Sequence, residues 1–374
     1  MRILFAGGGT AGHINPALAI AGYVRERQPD AAILYVGKTG GMEERLVPQA
    51  GFEFRGINVQ GFSRKLTPKG IKDNIVTVKK AITGGRAAKR IIREFKPDIC
   101  VGTGGYVSGP VLRAAAKLGI PTIIHEQNAF PGVTNKMLSK HADRVMLAMP
   151  AAEKHFKGSP KFVITGNPVR GEIQTADREA SRKELGLDER PVILSFGGSL
   201  GARIINESLA DIIARSAKDG RYQHIHAYGQ YGKWFPDLLR EKGADLEKAK
   251  NLDIREYINN MPVCLAAADV VVSRAGAVTL SEIQVKGKPA VLIPSPNVAE
   301  NHQFHNAMAL VEKNAAVMIE EKDLTPERLT EEIDKLASDP ERLREYSSNA
   351  RKMAVSDAVK RIYAVIVEVI ASGK

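Results

Sequence analysis

Residues 7–16 read Gly-Gly-Gly-Thr-Ala-Gly-His-Ile-Asn-Pro and follow a short apolar run, Ile-Leu-Phe-Ala, at residues 3–6. The run is typical of a buried strand, and residues 17–24, Ala-Leu-Ala-Ile-Ala-Gly-Tyr-Val, are typical of a helix. A strand, a glycine turn and a helix N-terminus together present unpaired backbone N–H groups and the positive end of the helix dipole. We therefore predict an anion-binding turn, with His13, whose imidazole titrates near neutrality, held beside it.

Other interpretations of this turn stay open. Glycine turns also serve packing without any ligand, and His13 could be a core histidine. Gly7, Gly9 and Gly12 fit the dinucleotide-binding pattern G-x-G-x-x-G. That site also needs an acidic residue at the tip of the second strand, to hold a ribose. The predicted second strand, residues 32–36, is followed by Gly-Lys-Thr, which counts against a nicotinamide cofactor.

The composition is that of a globular protein with two domains. The chain has 374 residues, of which 44% are hydrophobic and 26% charged. Cys100 and Cys264 lie among apolar residues, so we expect free buried thiols in a reducing compartment. The apolar run near the start is too short for a signal peptide, and no run approaches the roughly 20 residues of a membrane span.

The net charge of +12 is concentrated in the first half of the chain. Residues 1–166 hold 25 basic and 11 acidic side chains, whereas residues 167–374 hold 29 and 31. The first half is therefore expected to face something anionic: a nucleic acid, a phosphorylated substrate or an acidic membrane surface.

Strands and helices alternate through both halves, which predicts two parallel α/β sheets with ligands at the carboxyl ends of the strands. Glycine and proline at residues 165–170 mark the boundary, giving domains 1–166 and 167–354. The predicted strands are 2–6, 32–36, 98–101, 121–124, 144–147, 162–164, 191–196, 223–227, 252–254, 269–272 and 290–293.

A basic amphipathic stretch at residues 71–96 follows a predicted exposed loop, residues 61–70. Its apolar spacing predicts a helix with a break at Gly84-Gly85. Such a stretch can lie on a membrane, or it can simply pack its apolar stripe on the sheet, and both interpretations stay open. Its basic residues are Lys72, Lys79, Lys80, Arg86, Lys89, Arg90, Arg93 and Lys96.

Two more groups in the first half point to a site. Residues 102–110, Gly-Thr-Gly-Gly-Tyr-Val-Ser-Gly-Pro, form a second glycine turn that leads into a helix. Residues 125–128, His-Glu-Gln-Asn, follow the strand 121–124, and Asn135 comes soon after. Four polar residues at a strand tip favour a site over a helix cap, which needs only one of them.

The second half repeats this organisation about 190 residues further on. Residues 197–203, Gly-Gly-Ser-Leu-Gly-Ala-Arg, form a glycine turn, and residues 273–282 form a turn of small residues that opens a helix. Glu282 on that helix is expected to hold a ribose diol. Gln303 could bind sugar hydroxyls or be a surface residue near a helix start. Two surface helices are predicted over 325–354, and the apolar helix 357–371 is expected to pack back on the first domain.

Taken together and in this order, the motifs resemble the MurG family of bacterial N-acetylglucosaminyltransferases from residue 1 to about residue 310. Two positions depart from the family pattern: Ala11 replaces a usual glycine, and Glu300 lies where an aspartate is common. The resemblance implies an α/β GT-B fold, in which two Rossmann-like domains face each other across a cleft. It places the acceptor and a membrane-facing surface on the first domain and UDP-GlcNAc mainly on the second.

The activity implied is inverting transfer of GlcNAc from UDP-GlcNAc to the C4 hydroxyl of undecaprenyl-pyrophosphoryl-MurNAc-pentapeptide, converting lipid I to lipid II. The family works peripherally at the cytoplasmic face of the bacterial membrane, with cell-wall synthesis proteins as further partners. Acceptor contacts are Gly104, Gly105, Tyr106 and Asn135. Donor contacts are Thr10, Ala11, Gly12, Asn128, Arg170, Ser199, Ile258, Ala277, Val278, Thr279, Leu280, Ser281, Glu282 and Gln303.

An inverting transfer needs a base that takes the acceptor proton and a group that neutralises the charge of the leaving diphosphate. His13 is the first candidate for the base and Glu126 the second. The chain contains no Asp-x-Asp pair, so we expect no metal and no cofactor, with turn amides, Ser199 and Arg170 facing the diphosphate. Another GT-B glycosyltransferase or a UDP-GlcNAc epimerase is the alternative. Nucleic-acid binding is disfavoured, because only 6% of residues are aromatic.

Overall fold

The computed structural model describes residues 1–61, 67–158 and 160–373, and for residues 68–73 and 75 it describes the backbone alone. The chain forms two compact units. Unit 1 is Met1–Pro168 with the chain from Asp357 onward, and unit 2 is Val169–Ser356. For comparison, the sequence predicted a domain boundary at residue 166.

Unit 1 is built on a parallel sheet whose order is β3-β2-β1-β4-β5-β6-β7. Its strands are β1 (Arg2–Gly7), β2 (Ala32–Lys38), β3 (Glu53–Ile57), β4 (Ile99–Gly104), β5 (Thr122–Glu126), β6 (Arg144–Leu147) and β7 (Phe162–Ile164). Its helices before residue 168 are α1 (Ala11–Arg27), α2 (Met42–Gln49), α3 (Pro68–Phe95), α4 (Gly105–Lys117) and α5 (Val133–Leu138), with a 3-10 helix at Pro150–His155.

The strand order reverses between β1 and β4, which pair with each other from Ile3 and Ile99 onward. Both faces of the sheet are covered by helices, so β1 is apolar after Arg2, and Ile3 to Ala6 are fully buried. A point of reversal leaves a crevice at the carboxyl ends of the strands, where ligands of such sheets bind. The two glycine turns of the first half follow these two strands.

Unit 2 repeats the arrangement with the parallel order β10-β9-β8-β11-β12-β13. Its strands are β8 (Val192–Phe196), β9 (Gln223–Ala227), β10 (Leu252–Arg255), β11 (Val270–Ser273), β12 (Ala290–Leu292) and β13 (Ala316–Met318). Its helices are α6 (Gly171–Thr175), α7 (Arg178–Glu184), α8 (Arg203–Asp219), α9 (Phe235–Glu241), α10 (Met261–Ala267), α11 (Ala277–Lys286), α12 (His302–Val311), α13 (Pro326–Ala337) and α14 (Pro340–Met353), with 3-10 helices at Ala299–Asn301 and Glu321–Asp323.

The last helix, α15 (Ala358–Ser372), belongs to unit 1. Its apolar face joins the cluster formed by β1 and α1, with Ile362 and Ile366 fully buried. Polar contacts fix its position at both ends: Gln28 donates to the Tyr363 hydroxyl at 3.0 Å, and Arg144 pairs with Glu368 at 2.5 Å. Within the described residues, no helix combines the length and the apolar character needed to cross a membrane.

Helix α3 corrects two sequence predictions. It runs without a break through Gly84-Gly85. Gly84 has a packing role instead, since its lack of a side chain lets the helix lie against the segment after β3. A Cβ at Gly84 would come within 2.5 Å of a Val59 methyl group. The helix also begins at Pro68, inside the segment that was predicted as a loop. Residues 62–66 of that segment and the Lys72 side chain lie outside the described part.

The short edge strands β3 and β13 were not predicted. Residues 53–57 read Glu-Phe-Arg-Gly-Ile, and their charges suit an edge that must not pair with other chains. Strand β13 has only three residues, too few to show a period of two.

Candidate active site

The first glycine turn of unit 1 has the geometry of an anion site. Gly9 has a φ of +85°, and a Cβ at Gly7 would lie 2.1 Å from the Thr103 hydroxyl. The carbonyl of Thr10 accepts from the N–H groups of His13 and Ile14, at 3.1 and 3.2 Å, which closes the first turn of α1. The N–H groups of Ala11 and Gly12 precede that closure, in the part of a helix that has no internal acceptor.

The second glycine turn packs directly on the first. The Thr103 hydroxyl donates to the His13 carbonyl at 2.7 Å, and a Cβ at Gly105 would lie 2.1 Å from the Gly8 carbonyl. Gly104 has a φ of +104°, and a Cβ there would lie 2.9 Å from His13 Nδ1. The imidazole of His13 therefore lies over Gly104, which brings a predicted catalytic residue next to a predicted acceptor contact.

Glu126 has both carboxylate oxygens engaged. Oε1 accepts from the backbone and side-chain N–H groups of Asn128, each at 3.0 Å, and Oε2 accepts from Gly132 N at 3.1 Å and Asn135 Nδ2 at 2.8 Å. The residue is only 1% exposed. A carboxylate that is buried and accepts four hydrogen bonds organises its loop, and has little capacity left to accept a substrate proton.

The amide of Asn135 closes the same loop, because its Nδ2 also lies 3.3 Å from the His125 carbonyl. Its Oδ1 is buried and has no protein partner among the described residues. An acceptor atom in that position suits a hydroxyl or amide N–H of a ligand. A Cβ at Gly104 would lie 3.6 Å from Asn135 Nδ2, so Asn135 lies beside Gly104, another of the predicted acceptor contacts.

Tyr106 and Glu43 flank the first turn. A Cβ at Gly9 would lie 3.0 Å from the Tyr106 ring, and one at Gly8 would lie 2.2 Å from Glu43 Oε1. Burial, and secondarily the charge of Glu43, raises the pKa of Tyr106. Sequence reasoning missed Glu43, because an acid at the start of a helix is usually an exposed complement to the helix dipole. Here it is fully buried and accepts from Lys38 N at 2.8 Å.

The glycine turn after β8 in unit 2 packs closely on the segment that follows β9. Gly198 and Gly201 have φ values of +97° and +85°, and a Cβ at Gly201 would lie 2.2 Å from the Tyr228 carbonyl. The Ser199 carbonyl accepts from Gln230 N at 3.2 Å, while Ser199 itself is exposed. The Gly201 N–H donates to the Gly198 carbonyl at 2.9 Å, so the groups left for an anion are the exposed Ser199 hydroxyl and the first amides of α8.

The turn after β11 leads into α11, which carries Glu282. Burial raises the pKa of Glu282, and the Arg170 guanidinium, 3.3 Å away, opposes that rise. The side chain of Arg170 is 52% exposed, so this pair can open to a ligand at little cost. The Asn306 amide donates to the Ala275 carbonyl at 3.1 Å and fixes the turn.

The other predicted donor contacts differ in what they expose. Val278 and Thr279 are partly exposed on the first turn of α11, whereas Ala277 and Ser281 are buried, with the Ser281 hydroxyl 3.1 Å from the Ala277 carbonyl. The side chain of Leu280 lies wholly in the core and its N–H donates to the Gly276 carbonyl, so it supports the turn and offers no free group.

Ile258 and Gln303 lie beyond β10 and β12 in unit 2. Ile258 is 4% exposed. The Gln303 side-chain oxygen accepts from Ser295 N at 2.9 Å, which leaves its amide N–H groups to donate. Glu300 and Asn301, just before Gln303, have left-handed φ values of 54° and 49°. Such strain in residues other than glycine is typical of functional segments.

Taken one unit at a time, the structure places most of the predicted site residues at or just beyond the carboxyl ends of strands. His13 and Gly104 follow the two strands at the reversal in unit 1, whereas Ile258 and Gln303 follow β10 and β12 in unit 2. Among the described residues, no group of three or more His, Cys, Asp or Glu side chains is placed to hold a metal ion. Two α/β units, each with a glycine turn at its reversal point and one with a largely buried acid on the following helix, form the architecture of the GT-B class of nucleotide-sugar glycosyltransferases.

The chain belongs to glycosyltransferase family 28. The model of the family's N-terminal domain matches residues 3–147, and that of its C-terminal domain matches residues 192–362. The family resemblance and the fold class predicted from the sequence are thereby confirmed.

Three known proteins show how far the likeness extends. A protein of Acetivibrio thermocellus named UDP-N-acetylglucosamine--N-acetylmuramyl-(pentapeptide) pyrophosphoryl-undecaprenol N-acetylglucosamine transferase is 46% identical over 99% of this chain and 98% of its own. The crystal structure of MurG from Acinetobacter baumannii is 30% identical and superimposes with a TM-score of 0.79, covering 98% of this chain and 99% of that one. A putative UDP-N-acetylglucosamine 2-epimerase from Listeria monocytogenes shares the fold alone, at 14% identity and a TM-score of 0.66, covering 98% and 95% of the two chains.

Proposed function

We propose that the protein transfers N-acetylglucosamine from UDP-N-acetylglucosamine to the C4 hydroxyl of undecaprenyl-pyrophosphoryl-N-acetylmuramoyl-pentapeptide. The observation that carries the proposal is the near-full-length similarity to a transferase of that name, at 46% identity. The epimerase alternative has only the likeness of fold in its favour.

In the proposed reaction, the acceptor C4 hydroxyl attacks the anomeric carbon of the donor sugar. The hydroxyl proton passes to His13 Nε2 as the acceptor oxygen forms its bond to C1 of the donor sugar. The bond from C1 to the diphosphate oxygen breaks, and the configuration at C1 is inverted. The electron pair of that bond leaves with UDP. His13 suits the role of base better than Glu126, whose carboxylate oxygens already accept four hydrogen bonds.

A second set of groups is proposed to bind the sugar donor, UDP-GlcNAc. In unit 2, the amides around Ser199 and the Arg170 guanidinium offset the charge on the leaving diphosphate, and Glu282 accepts from the ribose hydroxyls. Thr10, Ala11 and Gly12 offer amides at the N-terminus of α1 in unit 1. We propose that these groups take the place of a metal ion and that UDP-GlcNAc is a substrate, with no cofactor.

The acceptor is the second substrate, and its pyrophosphate and lipid suit an anionic membrane surface. We propose that α3 meets that surface. Its buried face packs Ala88, Ile91 and Ile92 into the core, as the packing interpretation expected. Its other face leaves Val76, Val78 and Ile82 exposed, at 41%, 49% and 56%. Basic residues on the same helix are also exposed: Lys79, Arg86, Lys89, Arg90 and Arg93.

The decisive experiment is turnover of UDP-GlcNAc with and without a lipid-linked muramoyl-pentapeptide, each with and without a chelator. We expect UDP to be released only when acceptor is supplied, and at the same rate in the presence of EDTA. Turnover of UDP-GlcNAc without acceptor would support an epimerase. Activity on other acceptors alone would indicate a different glycosyltransferase, and a chelator-sensitive rate would overturn the metal-independent mechanism.

A further inference from the structure

A hydrogen-bond relay in unit 1 connects the proposed base to the segment that follows β7. It consists of the Gly166 carbonyl, the His125 imidazole, the Gln127 side-chain amide and the His13 imidazole. Successive members lie 2.9, 3.0 and 3.2 Å apart. His125 is fully buried and Gln127 is 2% exposed, so neither exchanges its partners for water.

The proton positions in the relay follow from the fixed acceptor at its end. The Gly166 carbonyl can only accept, so the His125 nitrogen facing it, Nε2, carries a hydrogen. Burial lowers the pKa of His125, against smaller effects of the Gly166 hydrogen bond and of Glu126. In the neutral ring, Nδ1 of His125 is then an acceptor.

Two acceptors fix the orientation of the Gln127 amide. Its nitrogen lies 3.0 Å from His125 Nδ1 and 3.1 Å from the His125 carbonyl. The reverse orientation would place the amide oxygen against two lone pairs in a buried site and leave those acceptors unsatisfied. The amide oxygen therefore faces His13.

We infer that Gln127, held by His125 and Gly166, is a positioning residue that keeps the proton of neutral His13 on Nδ1 and leaves the lone pair on Nε2. The Gln127 oxygen, 3.2 Å from His13 Nδ1, can accept only from an N–H group. Nε2 is thus the basic nitrogen. A base oriented by a third group is the arrangement found in catalytic triads, here with a neutral amide in place of a carboxylate.

Gly166 and Asn167, a two-residue motif that follows β7, gain a role from this relay. The Gly166 carbonyl sets the tautomer of His125, and the Asn167 side chain donates to the Gln127 carbonyl at 3.2 Å. The motif thus fixes both the proton order of the relay and the backbone of its central residue. None of these groups is proposed to touch the substrate.

The inference rests on the proposed function for its kinetic consequence, but the tautomer can be measured without substrate. We would record nitrogen-15 spectra of the full chain labelled at the histidine rings, and assign His13 by the loss of its signals in His13→Gln. The expected result is a protonated Nδ1 and an unprotonated Nε2 in the neutral ring. A neutral ring protonated on Nε2 would overturn the inference whether or not the protein transfers GlcNAc.

Two variants test the cause. Gln127→Met removes the acceptor at similar volume, and we expect a mixture of His13 tautomers with a kcat about 10- to 100-fold lower and an unchanged KM for UDP-GlcNAc. Gln127→Glu keeps an oxygen towards His13 and, with its other carboxyl oxygen protonated to donate to His125, should keep His13 Nδ1 protonated. A Gln127→Met variant with wild-type nitrogen shifts would contradict the positioning role, as would a Gln127→Glu variant with a shifted tautomer.

Gln223→Met is the matched control, because Gln223 is also 2% exposed but lies in unit 2, donating to the Asp188 and Arg190 carbonyls at 3.2 and 3.1 Å. It should lower stability and leave the His13 shifts unchanged. If no variant or wild-type protein transfers GlcNAc but the shifts behave as expected, the proposed function falls and the relay stands. If transfer occurs and the shifts do not respond, the relay falls alone.

Discussion

At the scale of single residues, His13→Ala removes the imidazole that lies over Gly104 at the start of α1. We expect kcat to fall by about 100- to 10 000-fold, the usual contribution of a general base, with little change in the KM for UDP-GlcNAc. His141→Ala, at an exposed histidine of the same unit, is the control. A His13→Ala rate equal to wild type from about pH 6 to about pH 9 would remove His13 from the mechanism.

Glu282 gives a second residue-scale prediction, on donor affinity. Ribose hydroxyls donate to the ionised carboxylate, and burial raises the pKa of this group above its ordinary value of 4.5. The affinity for UDP should therefore fall as the pH drops through that raised pKa, before an exposed glutamate takes up its proton. Glu282→Gln should weaken binding about 10- to 100-fold, from the loss of about 1.5–3 kcal/mol, and should flatten the pH dependence.

Calorimetric titration of UDP at several pH values measures both effects. Glu312→Gln, at an exposed acid of unit 2, should behave as wild type. Unchanged affinity in Glu282→Gln would exclude the ribose role. Ionisation of Glu282 favours UDP binding but opposes folding. Because the pKa of Glu282 is raised in the folded protein, the ionised carboxylate destabilises the fold as the pH rises above 4.5. Glu282→Gln should therefore not be less stable than wild type at neutral pH.

The gathering of His13, Gly104 and Asn135 was predictable from the sequence, because each follows the tip of a strand in one parallel sheet. Glu43 was not predictable, since nothing in its neighbours distinguishes a buried acid from an exposed one at a helix start. The role of Gln127 was also out of reach. It depends on which nitrogen of His125 faces a carbonyl, and that is set by side-chain geometry between β5 and the end of β7.

At the scale of elements, α3 shows how a pattern predicts a helix and misplaces its ends. The period of its apolar residues was enough to predict the helix. The break at Gly84-Gly85 was wrong, because a glycine pair marks a break only where no neighbour requires close approach. Here the close neighbour is Val59, which follows β3. That edge strand was not predicted, because its charged residues interrupt the alternation of apolar residues by which strands are identified.

The exposed face of α3 should bind anionic vesicles. Each basic side chain near such a surface contributes about 1 kcal/mol, so neutralising Lys79, Arg86 and Arg90 together should weaken binding by about two orders of magnitude at low salt. Neutralising Lys250, Lys313 and Lys352 removes the same charge from exposed positions of unit 2 and should have little effect. Co-sedimentation with vesicles containing phosphatidylglycerol, against neutral vesicles, measures this. Equal losses in the two triple variants would leave α3 with its packing role alone.

At the scale of the whole molecule, the two units repeat one organisation: a parallel sheet, a reversal of strand order and a turn of glycine or other small residues after each of the two strands at the reversal. This repeat was visible in the sequence, because β1 and β8 are each an apolar run followed by glycines. Unit 1 is not one continuous stretch of the chain, however. The chain returns to unit 1 with α15, the helix that was expected from its apolar spacing to pack back on the first domain.

The return of α15 predicts that unit 1 depends for its stability on the last residues of the chain. Ile366 is fully buried against β1 and α1, and its neighbour Val367 is 40% exposed. Ile366→Ala should lower the free energy of unfolding of unit 1 by about 2–5 kcal/mol, because it leaves a cavity, whereas Val367→Ala should cost much less. Hydrogen exchange followed by mass spectrometry separates the units: amides of β1, β4 and β6 should exchange faster in Ile366→Ala, and those of β8 and β11 should not. Equal acceleration in both sheets would mean that α15 stabilises the molecule as a single cooperative body, and no acceleration would mean that unit 1 holds its core without this helix.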